Sequence, residues 1–236
     1  MKPQRLSKVL AAHGIASRRA CEKLIFSKRV RVNGKTVCEP QTLVDSTTDI
    51  ILVDRKPLTS SNPQVYFMFN KPKGFVCSHN KDSHKKIIYD FFDSAPMRLF
   101  SAGRLDKETT GLLIVTSDGH FANHIAHPSS HILKEYIVKT DKEILDTHLK
   151  ILQKGCFVEG TFVIPHKVSK VRKGTVKIIV SEGKKREVRV LVEHAGLTTL
   201  HLKRTAIGSL RLGSLQEGCY RPLTEQEKEA LLHLGD

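Results

Sequence analysis

No window of this 236-residue sequence reaches the roughly 20 apolar residues that a membrane-crossing helix needs. The opening MKPQRLSKVLAAHG has no apolar segment behind its basic residues to act as an export signal. A protein that neither spans a membrane nor is secreted is expected. The five cysteines, at 21, 38, 77, 156 and 219, are odd in number, widely spaced and free of any C-x-x-C pair. That argues against a zinc ribbon or a redox disulfide and fits a reducing, cytoplasmic setting. G-x-x-x-x-G-K-[ST] is missing, and no G-x-G-x-x-G follows a strand, so ATP, GTP and dinucleotides are not implied. The G-x-S-x-G elbow of serine hydrolases is also absent. Aromatic residues make up only 6% of the chain.

What the sequence has is positive charge. Lys and Arg total 39 against 24 Asp and Glu, a net +15, and such a field draws in polyanions. Nucleic acid is the leading partner, with a merely basic surface as the bland alternative. With 39% hydrophobic and 27% charged residues, the composition is that of an ordinary globular protein. The length suits a medium domain with a small appendage.

The charge divides the chain. Residues 1–60 hold 12 Lys or Arg against 5 Asp or Glu, so a quarter of the length carries nearly half of the excess. LTSSNPQ at 58–64 reads as a linker, giving domains 1–60 and 61–236. In the first, Leu6, Val9 and Leu10 share a helical face, Gly14 offers a stop, and Ser17 can cap a second helix running to about Ser27. Ala20, Cys21, Leu24 and Ile25 would face inward. VRVNGKTV at 30–37 then supplies an Asn-Gly hairpin. Arg18, Arg19, Lys28, Arg29, Arg31 and Lys35 could line one RNA-binding edge. This order closely resembles the S4 RNA-binding domain, departing at Ser27-Lys28, where that family usually has a glycine.

From Val65 onward, VYFMFN, LLIVT, EYIVKT, TVKIIVSEG and LTTLHLKR read as strands. Residues 119–127, about 184–194 and the stretch from Glu225 read as helices, the last with a Thr224/Glu227 capping box. The expected class is α+β on a mixed or antiparallel sheet. His120, His124, His127 and His131 invite a metal reading, and with it a metal-dependent RNA hydrolase. The glutamate of H-E-x-x-H is missing, however, and Pro128 should end the helix. No metal is expected.

GRLDKETTGLLIVTSDG at 103–119 places Asp106 just ahead of a strand apolar enough to be buried. Alone, such an aspartate reads as a turn or cap residue. With NKPKG at 70–74, KEYIV at 134–138, EGKKREVRVLVEHAG at 182–196 and LKRTAIGSLRLGSLQEGCYRPL at 202–223, it resembles the RsuA/RluB type of pseudouridine synthase, across nearly the whole chain. The resemblance implies an S4 domain joined to a catalytic domain that isomerises uridines in ribosomal RNA without a cofactor. It implies that Asp106 is the essential aspartate and Arg104 its motif arginine near the extruded base. Tyr136 would pack on the target base and Arg189 would pair with Asp106. Val188 fits the pattern, whereas Glu187 and Val190 stand where the family usually has glutamine and arginine.

The residue types suit the chemistry. Exchanging a C1′–N1 bond for C1′–C5 needs a nucleophile or base, and an ionised carboxylate can be either. A guanidinium beside it favours that charged form. The base must first leave its stack, and an aromatic ring can hold it. Large-subunit RNA is the favoured target, with small-subunit RNA open. The rival reading is a noncatalytic RNA-binding or ribosome-assembly factor that keeps the fold for its surface.

Overall fold

The computed structural model describes residues 3–58, 63–79, 85–92 and 97–233. The chain forms two compact units, Met1–Gln64 with Pro96–Arg98, and Val65–Ala95 with Leu99–Asp236. Of the linker-like LTSSNPQ, residues 59–62 lie outside the described residues. Among the described residues, no helix is long and apolar enough to cross a membrane.

The first unit runs β1 (Gln4–Arg5), α1 (Leu6–Ala12), α2 (Arg18–Phe26), β2 (Val30–Val32), β3 (Lys35–Val37), β4 (Leu43–Val44), β5 (Ile51–Val53) and β6 (Lys56–Pro57). Leu6, Val9 and Leu10 of α1 bury one helical face in a cluster with Cys21 and Ile25 of α2 and with Val30 and Ile51 of the strands. Ser17 caps α2 by accepting from the Ala20 amide at 3.2 Å. Asn33 and Gly34 both take positive φ, 50° and 80°, as a two-residue hairpin turn requires. Lys28 also takes a positive φ, 59°, two residues past the end of α2. That is the conformation a glycine adopts without strain. The departure from the S4 pattern thus leaves the shape of the turn intact.

The second unit is a nine-stranded mixed sheet, mostly antiparallel, with helices packed on it. Its elements are β7 (Tyr66–Lys71), β8 (Phe100–Ala102), β9 (Thr109–Thr116), α3 (Gly119–Ala126), β10 (Lys134–Thr140), α4 (Asp146–Lys154), β11 (Cys156–Val158), β12 (Thr161–Val163), β13 (Lys167–Arg172), β14 (Thr175–Val180), α5 (Glu187–His194), β15 (Thr199–Ile207), β16 (Leu210–Arg211), β17 (Tyr220–Pro222) and α6 (Glu225–Leu232). The sheet order is β13-β14-β10-β15-β9-β7-β17, with β8 beside β9 and β16 beside β15. Among the described residues, only the β15–β9 pair of that sheet is parallel. All eight residues of β9 are buried, which explains why LLIV lacks the alternation of a half-wet strand. Leu112 and Ile114 pack with Met68, Phe121, Ile125 and Leu231 beneath α3 and α6.

Two local expectations need correction. The helix expected from about residue 184 begins at Glu187, because Arg186 takes a left-handed conformation, φ 56° and ψ 19°, that cannot continue a helix. The helix α4 and the β11–β12 hairpin fill a stretch for which the sequence pattern offers no element.

Candidate active site

Asp106 sits in the loop between β8 and β9, and three separate contacts hold that loop. Its carbonyl accepts from the Thr109 amide at 3.0 Å, closing a turn, and Gly74 donates its amide to the Lys107 carbonyl at 2.8 Å. Lys71, fully buried at the end of β7, donates Nζ to the carbonyls of Thr109 (2.8 Å), Pro72 (3.0 Å) and Lys107 (3.4 Å). Burial lowers the Lys71 pKa, while Cys77, Asp106 and Glu108 act in the opposite direction. A cation clamped by carbonyls fixes the backbone on which the Asp106 carboxylate is mounted.

The carboxylate is 38% exposed and faces a cleft of about 520 Å³ whose wall includes Arg104, Tyr136, Val188 and Arg204. The guanidinium of Arg189, 13% exposed, places Nε 4.0 Å from Asp106 Oδ2. Its Nη2 donates to the Glu108 carbonyl and to Thr109 Oγ1, each at 3.4 Å. Arg189 projects from the first turn of α5, so the left-handed Arg186 that starts this helix also sets its reach toward Asp106. Burial lowers the Arg189 pKa, with Asp106 and Glu108 opposing.

Tyr136 is 9% exposed in β10, and its hydroxyl accepts from Arg204 Nη1 at 3.4 Å. Arg204, 3% exposed in β15, donates Nε to the Leu112 carbonyl at 2.7 Å. Arg204 joins the site from within the LKRTAIG stretch, and the strand pattern carries its signal. Leu202, Arg204 and Ala206 alternate as the buried positions of one strand, so an arginine there must enter the interior. Gly111 makes the approach possible: at φ +105° it lies so close to Arg204 that a Cβ would stand 2.2 Å from the Arg204 carbonyl oxygen.

Glu187 and Lys134 also line this cleft, and both are buried. Glu187 Oε2 accepts from the Lys184 amide at 3.0 Å, and the Glu187 amide donates back to the Lys184 carbonyl at 3.2 Å. This closes the turn that carries Arg186. Glu187 Oε1 is buried and has no hydrogen-bond partner among the described residues. Burial pushes the carboxyl pKa up to about 7; Glu182 adds to the rise, and the Lys184 amide, Lys134 and the Lys184 ammonium offset it. Lys134 donates Nζ to the carbonyls of Ser181 (3.1 Å) and Glu182 (3.3 Å), and burial lowers its pKa.

Of the residues singled out in the second unit, Arg104, Asp106, Tyr136 and Val188 share the cleft wall, and Arg189 stands next to Asp106. In the first unit, Arg18, Arg19, Lys28, Arg29, Arg31 and Lys35 are all exposed. Arg29 is occupied, donating Nε to Asp54 at 2.7 Å, and Arg18 lies 4.0 Å from Glu22. The histidines part company where α3 ends at Ala126: His127 hydrogen-bonds Ser129, and His131 turns left-handed at φ 48°. Among the described residues, no group of three or more His, Cys, Asp or Glu is placed to hold a metal ion.

Comparison with known proteins gives the chain its family. Residues 4–51 match the S4 domain model, and residues 65–194 match the model described as RNA pseudouridylate synthase. The chain is 36% identical to ribosomal large subunit pseudouridine synthase B of Bacillus subtilis, covering 99% of this chain and 97% of that one. It is 43% identical to a chloroplastic protein of Arabidopsis thaliana described as a candidate ribosomal large subunit pseudouridine synthase, covering 98% of this chain but only 61% of that longer one. A crystal structure of a pseudouridylate synthase, 33% identical, superposes with a TM-score of 0.70 over 97% of this chain and 99% of the other. The chain therefore belongs to the RNA pseudouridylate synthase family of isomerases and carries an S4 domain at its N-terminal end.

Proposed function

We propose that the protein converts a uridine of large-subunit ribosomal RNA to pseudouridine, with Asp106 as the catalytic carboxylate. One observation carries the assignment. A carboxylate on a clamped loop opens into a cleft, with a guanidinium 4.0 Å away and a tyrosine in the same wall. The C1′–N1 bond breaks, the freed uracil turns over, and C5 bonds to C1′; the proton leaves C5 and N1 ends protonated, so atoms and electrons balance with no redox partner. Asp106 serves as the nucleophile or base of that exchange.

The uridine must leave its stack to enter a cleft of this depth, and the Tyr136 ring offers it a face. Arg104, exposed at the rim, and Arg189 sit where a phosphate or a displaced neighbour would meet them, and Val188 gives the wall an apolar patch. The exposed cations of residues 1–60, Arg29 aside, would grip RNA phosphates through the S4 domain. The names of the Bacillus and Arabidopsis relatives support the large subunit as target.

Two experiments test the reading. Asp106→Asn removes the charge while hardly changing size, so it should abolish pseudouridine formation and leave RNA binding within about twofold; product at the wild-type rate would refute the role of Asp106. Mapping pseudouridines in ribosomal RNA from cells with and without the gene should reveal one missing large-subunit site. A loss confined to small-subunit RNA would refute the target.

A further inference from the structure

The β11–β12 hairpin faces its small residues inward and its large ones outward. Cys156, Val158 and Val163 are buried, whereas Phe157 is 68% and Phe162 49% exposed. Phe157 and Phe162 are register partners on the two strands, so both rings stand on one face, edge to face with centroids 5.1 Å apart. The hairpin is braced from behind by Gly155, at φ +76°, where a Cβ would stand 2.1 Å from the Val163 carbonyl oxygen. Together with Val190, Glu193 and His194 of α5, the two rings bound a shallow cavity of about 430 Å³. Folding gains little by holding two phenylalanines in water, and a paired aromatic patch of this kind marks a binding surface.

The chemistry around the rings indicates the ligand. Lys184 donates Nζ to Thr161 Oγ1 at 3.3 Å, on the hairpin itself, and the same lysine lines the Asp106 cleft. Exposed Lys185 and Arg186 follow it, and exposed Lys154 precedes Gly155. Against these four cations stand Glu159 at the hairpin turn, Glu193 in the cavity wall and Glu182, 4.0 Å from Lys184 Nζ. Exposed rings in a net positive surround are the combination that holds single-stranded nucleic acid, the rings taking bases and the cations phosphates. We propose that the Phe157–Phe162 face is a second nucleotide subsite, which stacks an unpaired base of the RNA whose uridine enters the Asp106 cleft. The inference rests on the function proposed above for that cleft. It adds a reason for the enzyme to favour uridines in unpaired loops, where a neighbouring base is free to stack.

The test uses the full chain and two 12-nucleotide probes, oligoadenylate and an abasic strand of the same charge. Phe157→Ala with Phe162→Ala should weaken oligoadenylate binding about tenfold, the scale of one lost base stack, and leave the abasic strand within about twofold. Phe157→Tyr with Phe162→Tyr keeps the rings and should keep the affinity, which separates stacking from any effect on folding. Unchanged oligoadenylate affinity in the alanine variant, or an equal loss on both strands, would overturn the proposal. So would unchanged affinity accompanied by a dimer becoming a monomer, since the face would then join copies of the chain. Because this readout involves no turnover, it holds or fails apart from the role of Asp106, which product formation by wild type and Asp106→Asn decides.

Discussion

Replacing Glu187 by Gln should stabilise the second unit at pH 8 and leave it nearly unchanged at pH 4. The Glu187 side chain is 4% exposed, one of its oxygens has no partner among the described residues, and burial moves its pKa from 4.5 to about 7. At 1.36 kcal/mol per pKa unit, that displacement is about 3 kcal/mol against the ionised form, an upper figure because relaxation of the wall and of Lys134 would return part of it. The sign follows from linkage. The folded pKa lies above the unfolded one, so the contribution is whole below about pH 4.5. It drains as pH rises toward about 7, where the unfolded chain is ionised and the folded one still holds its proton, and it is gone above that. Glutamine mimics the protonated acid at every pH and avoids the loss. All four tyrosines, at 66, 89, 136 and 220, lie in the second unit, and the chain has no tryptophan, so tyrosine emission during urea unfolding reports on that unit alone. The variant should match wild type within about 0.5 kcal/mol at pH 4 and exceed it by roughly 1–3 kcal/mol at pH 8. A difference that is the same at both pH values would refute the buried, protonated carboxyl.

The remaining predictions concern the mount and the grip. Leu113→Ala, at a fully buried position in β9, should cost about 2–5 kcal/mol in the same unfolding assay, since it opens a cavity in the strand that carries the Asp106 loop. A cost below about 1 kcal/mol would mean that this strand is not a rigid support. Deleting residues 1–60 should weaken RNA binding most at low salt and flatten the salt dependence, by about 0.7 in log–log slope for each lost contact to a single-stranded phosphate. Parallel salt titrations of truncated and intact protein would argue against a docking role for the first unit.

The sequence made the buried strands readable because burial on both faces leaves an unbroken apolar run, as in LLIV, and burial on one face leaves alternation. It made the first unit readable through its punctuation: Ser17, Asn33-Gly34 and Gly14 each act within a few residues. It left α4 and the β11–β12 hairpin unread, because DTHLKILQK buries only Leu152 and so offers a short apolar face, and the three-residue strands of the hairpin are too short to show alternation. Arg186 marks another limit. Nothing in KKRE announces a left-handed arginine, which arises only when the Glu187 carboxyl and amide close on Lys184. At the cleft, the motifs pick out Arg104, Asp106, Tyr136 and Val188, which line its wall, but not Lys71, Lys134 and Arg204 as buried cations, since their place depends on pairings between strands distant in sequence.

On the proposed role of Asp106, those three cations bear on how its carboxylate stays free to react. Each is held chiefly by backbone carbonyls: Lys71 by those of Pro72, Lys107 and Thr109, Lys134 by those of Ser181 and Glu182, and Arg204 by that of Leu112. A buried ammonium or guanidinium usually claims a carboxylate, and a carboxylate so claimed is a poor nucleophile or base. By giving the cations to carbonyls, the fold keeps positive potential around the cleft, where an RNA phosphate can use it, without spending Asp106 on it. Arg189 completes the arrangement. At 4.0 Å from Asp106 Oδ2 it is near enough to favour the charged form and too far for a hydrogen bond, so the carboxylate oxygens remain open toward the cleft. On the proposed role of Asp106, a guanidinium drawn in to 2.8 Å would tie up an oxygen that the bond exchange at C1′ needs, and the 4.0 Å separation leaves that oxygen free.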